Sequence, residues 1–245
     1  IPGIQVIISD SKGYTIYNYG HHEIEKTTEV NDSTRWRYGS ITKVFTAVMI
    51  LQLESEGKLS IDDSVTKYID LKQHNAAGIT IKHLLNHSSG LYNYTASKKL
   101  KWEDTPNLCL ENSLKRKLNF TPGSKYDYCN TGYVILGLII EKITAQSYQQ
   151  NITERIFKPC GLESMIYCSD DKIPFNTARG YKIKHNKYTD FTEIDHSWAN
   201  SAGAVLGNLT DLNKFVDCLF KGNLIDSSQL KKMISPTIIY RDLNA

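Results

Sequence analysis

Apolar positions along the chain divide it into strands at its start and helices through its middle. Ile4 to Ser9 is a β-rich run, Asp10-Ser11-Lys12-Gly13 is a turn, and Tyr14 to Tyr19 alternates weakly, which predicts a hairpin. The polar stretch His21 to Arg35 reads as loop with a short strand. Ile41 to Glu54 predicts a helix too apolar for a surface position, closing near Gly57 at a C′ position. Thr80 can cap a short helix, Ile81 to Asn86, stopped by Ser88-Ser89-Gly90. Tyr92 to Asn107 has no clear period, Glu111 to Leu118 suits a short helix, and Thr121-Pro122-Gly123 is a turn. A second apolar helix is predicted over Tyr133 to Thr144, and a further one over Ile152 to Phe157, ended by Pro159 and Gly161. Gly180 to Glu193 is polar and Tyr-rich, as exposed strands or a loop would be. Thr210 is the expected cap of a last helix, Asp211 to Phe220.

Composition narrows the class without choosing a function. The 245 residues suffice for one large domain or two smaller ones, and 40% apolar with 22% charged residues is a globular balance. No apolar run approaches the roughly 20 residues of a membrane-spanning helix. The net charge of +3, spread over scattered lysines, gives no footprint for nucleic acid. Five cysteines without Cys-x-x-Cys spacing argue against a disulfide framework while leaving room for one bridge. The chain starts at Ile1-Pro2-Gly3 without an initiator Met or a signal peptide, so compartment cannot be read from this end.

Chemistry concentrates at the mouth of the first apolar helix. Ser40 and Lys43 stand three residues apart, a spacing that puts both on one helix face about 5–6 Å apart at Cβ. A hydroxyl beside a desolvated amine is one recipe for an activated serine, and a helix N-terminus favours developing negative charge. Ser-x-x-Lys recurs at Ser9, Ser55, Ser64, Ser169 and Ser228, but there in polar, turn-like sequence. The alternative reading makes Ser40 an N-cap and lets Lys43 reach along the surface to water. His83 and His87 lie four apart near a helix end without a Glu in place to complete a metal motif, so they read as capping or surface groups. No metal and no cofactor is called for.

A second constellation, Tyr128-Cys129-Asn130, follows the turn Thr121-Pro122-Gly123 and leads into the second apolar helix. Alone it reads as a core Tyr and a helix-entry Asn. Beside Ser40 and Lys43, Tyr128 offers a phenol for proton relay, and Asn130 an amide to grip a substrate carbonyl or orient Lys43. With these motifs the chain resembles the serine β-lactamase and penicillin-binding-protein superfamily, in the branch of class C β-lactamases, D-Ala-D-Ala carboxypeptidases and related esterases. The likeness extends to Tyr38–Ala47, Glu56–Asp63, Ile79–Leu91, Asn130–Tyr148, Ser201–Val205 and Thr210–Leu212, in the family's order.

The resemblance implies an α+β fold, with an α/β lobe on an antiparallel sheet and an inserted, mostly helical lobe. The corresponding division is 1–61 with 196–245, and 62–195. It also implies a covalent acyl-enzyme on Ser40, with Lys43 and Tyr128 moving protons and Asn130 binding substrate. The expected substrate is a small molecule or a peptidoglycan stem, cleaved in D,D-peptidase fashion. The expected location is a bacterial envelope, periplasmic or secreted, with the cytoplasm left open, and the oligomeric state is not implied. The family's third motif, Lys-Thr-Gly or His-x-Gly, does not occur here. The expectation that follows is a chain incomplete at its C-terminus, short of one oxyanion-hole amide and poorly active as a monomer. A binding module or pseudoenzyme that keeps the fold without turnover is the alternative from another class.

Overall fold

A computed structural model describes residues 2–71, 76–97, 106–168, 173–185, 187–192 and 197–236. The expected hairpin is there. β1 (Gly3–Asp10) and β2 (Gly13–Gly20) pair antiparallel in the register Gly3↔Gly20 to Asp10↔Gly13, and the Asp10 carboxylate accepts the Lys12 N–H to hold the turn. Cross-strand register puts Ile4, Val6 and Ile8 on one face with Tyr17 and Tyr19, and all five are exposed. A short β3 (Arg35–Arg37) then runs into Tyr38 and a 3-10 turn, Gly39–Ile41, where Gly39 has φ +52°. That turn opens directly into α1 (Thr42–Ser55).

The apolar run from Ala47 to Leu51 along α1 explains its position. Phe45, Val48, Met49, Ile50 and Leu53 are all fully buried, so the helix lies inside the core over most of its length and reaches solvent in its last turn, where Gln52 and Glu54 are half-buried and Ser55 is exposed. It ends as expected: Glu56 is the C-cap and Gly57 takes the left-handed conformation, φ +68°. The next short helix, α2 (Ile81–Leu85), is capped by Thr80 in a capping box with His83. α3 (Pro106–Leu114) overlaps the expected Glu111–Leu118 segment at Glu111–Leu114 but starts and ends earlier, and Pro106 at its first position was the unused signal.

α4 (Asn130–Thr144) starts three residues before Tyr133 and is buried along most of its length. It packs on α1 and α2. α5 (Tyr148–Ile152) begins at a Ser147/Gln150 capping box, and the expected helix over Ile152 to Phe157 is instead a π turn at Thr153–Phe157 that continues it. β4 (Ile166–Tyr167) follows; β5 (Tyr181–Lys184) and β6 (Lys187–Asp190) make an exposed hairpin, as the Tyr-rich stretch suggested as far as it is described. Glu193, the end of that stretch, and the 195/196 division lie outside the described residues.

The last third returns to the N-terminal end of α1. α6 (Asn200–Gly203) leads into β7 (Val205–Asn208), which is the middle strand of an antiparallel sheet ordered β3-β7-β4. α7 (Leu209–Phe220) packs on β1, and its N-cap is Asn208 in place of the expected Thr210, because the extended end of β7 leaves Asn208 free to accept the Asp211 N–H. α8 (Ser227–Ile234), capped by Asp226, completes the described chain. Phe215 of α7 stacks on Phe45 at 4.0 Å between ring centroids. A disulfide joins Cys160 to Cys218 of α7, the one bridge the cysteine count allowed. No helix among the described residues is long and apolar enough to cross a membrane.

Candidate active site

Two strands and a turn fix where Ser40 sits. β3 pairs with β7, Tyr38 N–H donates to the Val205 carbonyl at 3.0 Å, and the left-handed Gly39 then turns the chain so that Ser40 precedes α1. Ser40 is not an N-cap. The cap position is Ile41, with no side-chain bond, and Ser40 sits exposed in the 3-10 turn before it. Nor does Lys43 reach out to water, being only 6% exposed. Its ammonium donates to Ser40 Oγ at 3.2 Å and to the Ala202 carbonyl at 2.7 Å. Burial pushes the lysine down to about 8, an effect slightly opposed by Cys129.

α6 is held against α1 by polar bonds from one face of the helix. Thr46 Oγ1 donates to the Ser201 carbonyl at 2.7 Å and bonds the Tyr148 hydroxyl at 2.6 Å, while Thr42 Oγ1 accepts the Val205 N–H at 3.1 Å. Ser201 Oγ in turn donates to the Tyr133 carbonyl of α4 at 2.8 Å. This approach needs Gly137, since a Cβ there would lie 2.2 Å from Ser201 Oγ. The Ser201–Val205 strip stood out in the sequence only as a resemblance. Its carbonyls as the seat of the lysine were not read, because backbone acceptors leave no mark in side-chain identity.

Tyr128 arrives from the segment before α4, and its hydroxyl bonds Ser40 Oγ at 2.6 Å. Lys43 Nζ lies 5.0 Å from the centroid of the Tyr128 ring and 5.5 Å from that of Tyr133. Three of the four residues singled out in the sequence, Ser40, Lys43 and Tyr128, are therefore in direct contact. Asn130 is different. It opens α4, its backbone N–H donates to Asn93 Oδ1 at 3.2 Å, and its side-chain amide donates to Thr95 Oγ1 at 3.0 Å. Among the described residues Lys43 donates to Ser40 and to the Ala202 carbonyl, and no hydrogen bond joins it to Asn130. Asn93 also donates to the Tyr128 carbonyl at 3.3 Å, a support that the sequence reading missed.

His87 closes the C-terminal end of α2 in the left-handed conformation, as the capping expectation allows, but its half-buried ring is directed to the site. Its ring lies 4.5 Å from that of Tyr128 and 5.1 Å from that of Tyr133 between centroids. Its Nδ1 accepts the Cys129 N–H at 3.1 Å, and burial and the nearby Lys43 charge push it down to about 4. His83 behaves as expected, closing the Thr80 capping box.

A hydroxyl touching both a buried amine and a phenol can lose its proton to one and exchange protons with the other, which is what acyl transfer through a serine requires. Known proteins carry related chains. The Beta-lactamase family profile matches residues 1–241. The chain is 29% identical over 235 residues to the putative penicillin-binding protein PbpX of Bacillus subtilis (strain 168), covering 96% of this chain and 59% of that one. It spans about half the length of the curated relatives it matches, from 45% to 59% for those compared. It superposes on a D-stereospecific amidohydrolase from Streptomyces sp. with a TM-score of 0.88 and 28% identity, covering 98% of this chain and 74% of that one. For the D-amino acid amidase of Ochrobactrum anthropi SV3 the TM-score is 0.83 at 26% identity, covering 93% and 67%.

Proposed function

We propose, from the premise that this chain belongs to the Beta-lactamase family, that it is a serine hydrolase working through a covalent acyl-enzyme on Ser40. The observation that carries this is the contact set at one atom: Ser40 Oγ bonds both Lys43 Nζ and the Tyr128 hydroxyl. In this reading Ser40 Oγ attacks the substrate carbonyl and its proton passes to neutral Lys43. The buried position makes that neutral form accessible near pH 8. The proton returns through Tyr128 to the departing amine as the carbonyl–nitrogen bond breaks. Water then attacks the serine ester, its proton passes by way of the same pair to Ser40 Oγ as the bond from Oγ to the acyl carbon breaks, and the acid is released.

We assign Asn130 to the substrate amide. Its side-chain N–H on Thr95 is an exchangeable partner at the site's edge, next to the Tyr128 backbone that Asn93 holds. For substrate we favour a D-configured amide or peptide, in D,D-peptidase fashion, over a β-lactam. Two structural relatives are named as a D-stereospecific amidohydrolase and a D-amino acid amidase, and in this chain Ser40 contacts both Lys43 and Tyr128. The lobes are assigned as 1–61 with 196–245, and 62–195, although β4 of the second joins the sheet of the first. The Cys160–Cys218 bridge supports a location in an oxidising compartment outside the cytosol.

The test is covalent labelling with a fluorescent penicillin or an acyl phosphonate, followed by mass mapping. Wild-type protein should carry one label on Ser40, and Ser40→Ala none. Label persisting on Ser40→Ala would reject the assignment. A panel of D-alanyl-D-alanine peptide, D- and L-amino acid amides and a chromogenic cephalosporin then ranks substrates, with the D-amides expected first.

A further inference from the structure

His87 occupies a backbone position that its side chain must justify. It follows the C-cap Asn86 of α2 and has φ +59°, the left-handed conformation that glycine and asparagine hold most easily. From there it grips both sides of Tyr128. The His87 carbonyl accepts the Asp127 N–H at 2.8 Å, and the imidazole Nδ1 accepts the Cys129 N–H at 3.1 Å. Between these two bonds the ring of His87 lies against the ring of Tyr128, 4.5 Å between centroids and tilted by 36°.

We infer that His87 is a positioning residue, clamping the backbone on either side of Tyr128 so that the phenol meets Ser40 Oγ. This rests on the reading of Ser40 as nucleophile and Tyr128 as proton relay. A backbone N–H can donate only to an unprotonated nitrogen, so the ring must be neutral with its proton on Nε2. The surroundings enforce that state. Burial and the charge of Lys43 on α1 disfavour the protonated ring, outweighing the opposite pull of Asp127, and Tyr126, Tyr128 and Tyr133 of α4 pack around it. A protonated imidazole would set a second cation near Lys43 and replace the acceptor with a donor facing the Cys129 N–H. The role was hidden in the sequence because the groups that His87 holds lie 40 and 42 residues downstream.

The experiment compares His87→Gly and His87→Asn. Both suit the left-handed backbone, and only asparagine can restore an acceptor near the site of Nδ1. The readout is the rate of Ser40 modification by a fluorophosphonate from pH 5 to 10, with circular dichroism to confirm folding and Ser40→Ala as the blank. We expect His87→Gly to react roughly a hundredfold more slowly than wild type, and His87→Asn at least about tenfold faster than His87→Gly, the share of one buried hydrogen bond. In His87→Gly the pH midpoint should also move up from about 8, since water then reaches Lys43. Folded His87→Gly reacting like wild type with an unmoved midpoint would overturn the inference while leaving the nucleophile in place. So would His87→Asn reacting no faster than His87→Gly, or at under a tenth of the wild-type rate should His87→Gly not fold. Wild type unmodified at Ser40 would overturn the inference together with the reading of the site.

Discussion

The Tyr128 hydroxyl stands 2.6 Å from Ser40 Oγ although 88 residues separate them. Proton delivery to a leaving group matters only when that group cannot depart as an anion. Amines cannot, whereas p-nitrophenolate can. Tyr128→Phe keeps the ring against His87 and removes only the hydroxyl. We therefore expect it to slow amide cleavage or amide-derived acylation by about 10²–10³ and acylation by a p-nitrophenyl ester by no more than about tenfold. Steady-state rates on matched amide and aryl ester substrates check this. Equal losses on both would assign Tyr128 to binding instead of proton transfer. Because Tyr128 is 37% exposed, its thermal midpoint should barely change.

Gly137 and Ser201 share a space too small for one more carbon. A Cβ on residue 137 would lie 2.2 Å from Ser201 Oγ and 2.7 Å from Ser201 Cβ. Gly137→Ala must then push α6 away from α4, taking the Ala202 carbonyl from Lys43. We expect a stability loss of about 1–3 kcal/mol together with slower Ser40 labelling. Adding Ser201→Gly removes the obstructing atoms, so the double variant should recover part of both losses, a coupling measured by urea unfolding of all four proteins in the cycle. Strict additivity would mean that the contact is not what limits the approach.

Much of the fold was legible in residue patterns, for identifiable reasons. α1 and α4 stood out because long apolar runs can only be buried, and the first hairpin because Asp10–Gly13 is turn chemistry between two β-rich runs. Boundaries failed where two residues offered the same chemistry. Asn208 and Thr210 can both cap α7, and only the pairing of β7 chooses between them. α8 was passed over although Asp226 followed by Gln229 is a helix-start pattern. At the site, Ser40, Lys43 and Tyr128 were found because side-chain chemistry identifies them. The supports, Ala202 O, Asn93 and His87, act through the backbone or on it, and their partners are fixed only by tertiary folding.

The Cys160–Cys218 bridge ties α7 to the turn after the π segment, across 58 residues of chain. In the chain-entropy picture a loop of that length is worth about 4 kcal/mol. Neither sulfur touches Ser40, Lys43 or Tyr128. Cys218→Ser or a reductant should therefore lower the thermal midpoint by several degrees and leave labelling of Ser40 at 25 °C close to wild type. Differential scanning calorimetry with and without reductant measures the first effect. Labelling lost at a temperature where the reduced protein is still folded would show that the bridge holds the site as well as the fold.

Lys43 costs the fold stability, and in the proposed mechanism it is the base. Burial lowers it from 10.5 to about 8, so the unfolded chain holds the proton more tightly than the native one. Between about pH 8 and 10.5 the unfolded state binds more protons, and native stability rises with pH across that window. Below pH 8 the penalty is present in full, on the order of 3 kcal/mol. Lys43→Met removes the charge at similar volume, but it also leaves the Ala202 carbonyl without its donor, a cost of about 1–3 kcal/mol. The two effects oppose each other, so at pH 7 the variant should unfold in urea within about 2 kcal/mol of wild type while losing covalent labelling. At pH 10 wild type should have gained on the variant, because only wild type has a buried charge to shed. Wild type that labels faster below pH 6 than at pH 9 would reverse this sign and reject neutral Lys43 as the proton acceptor.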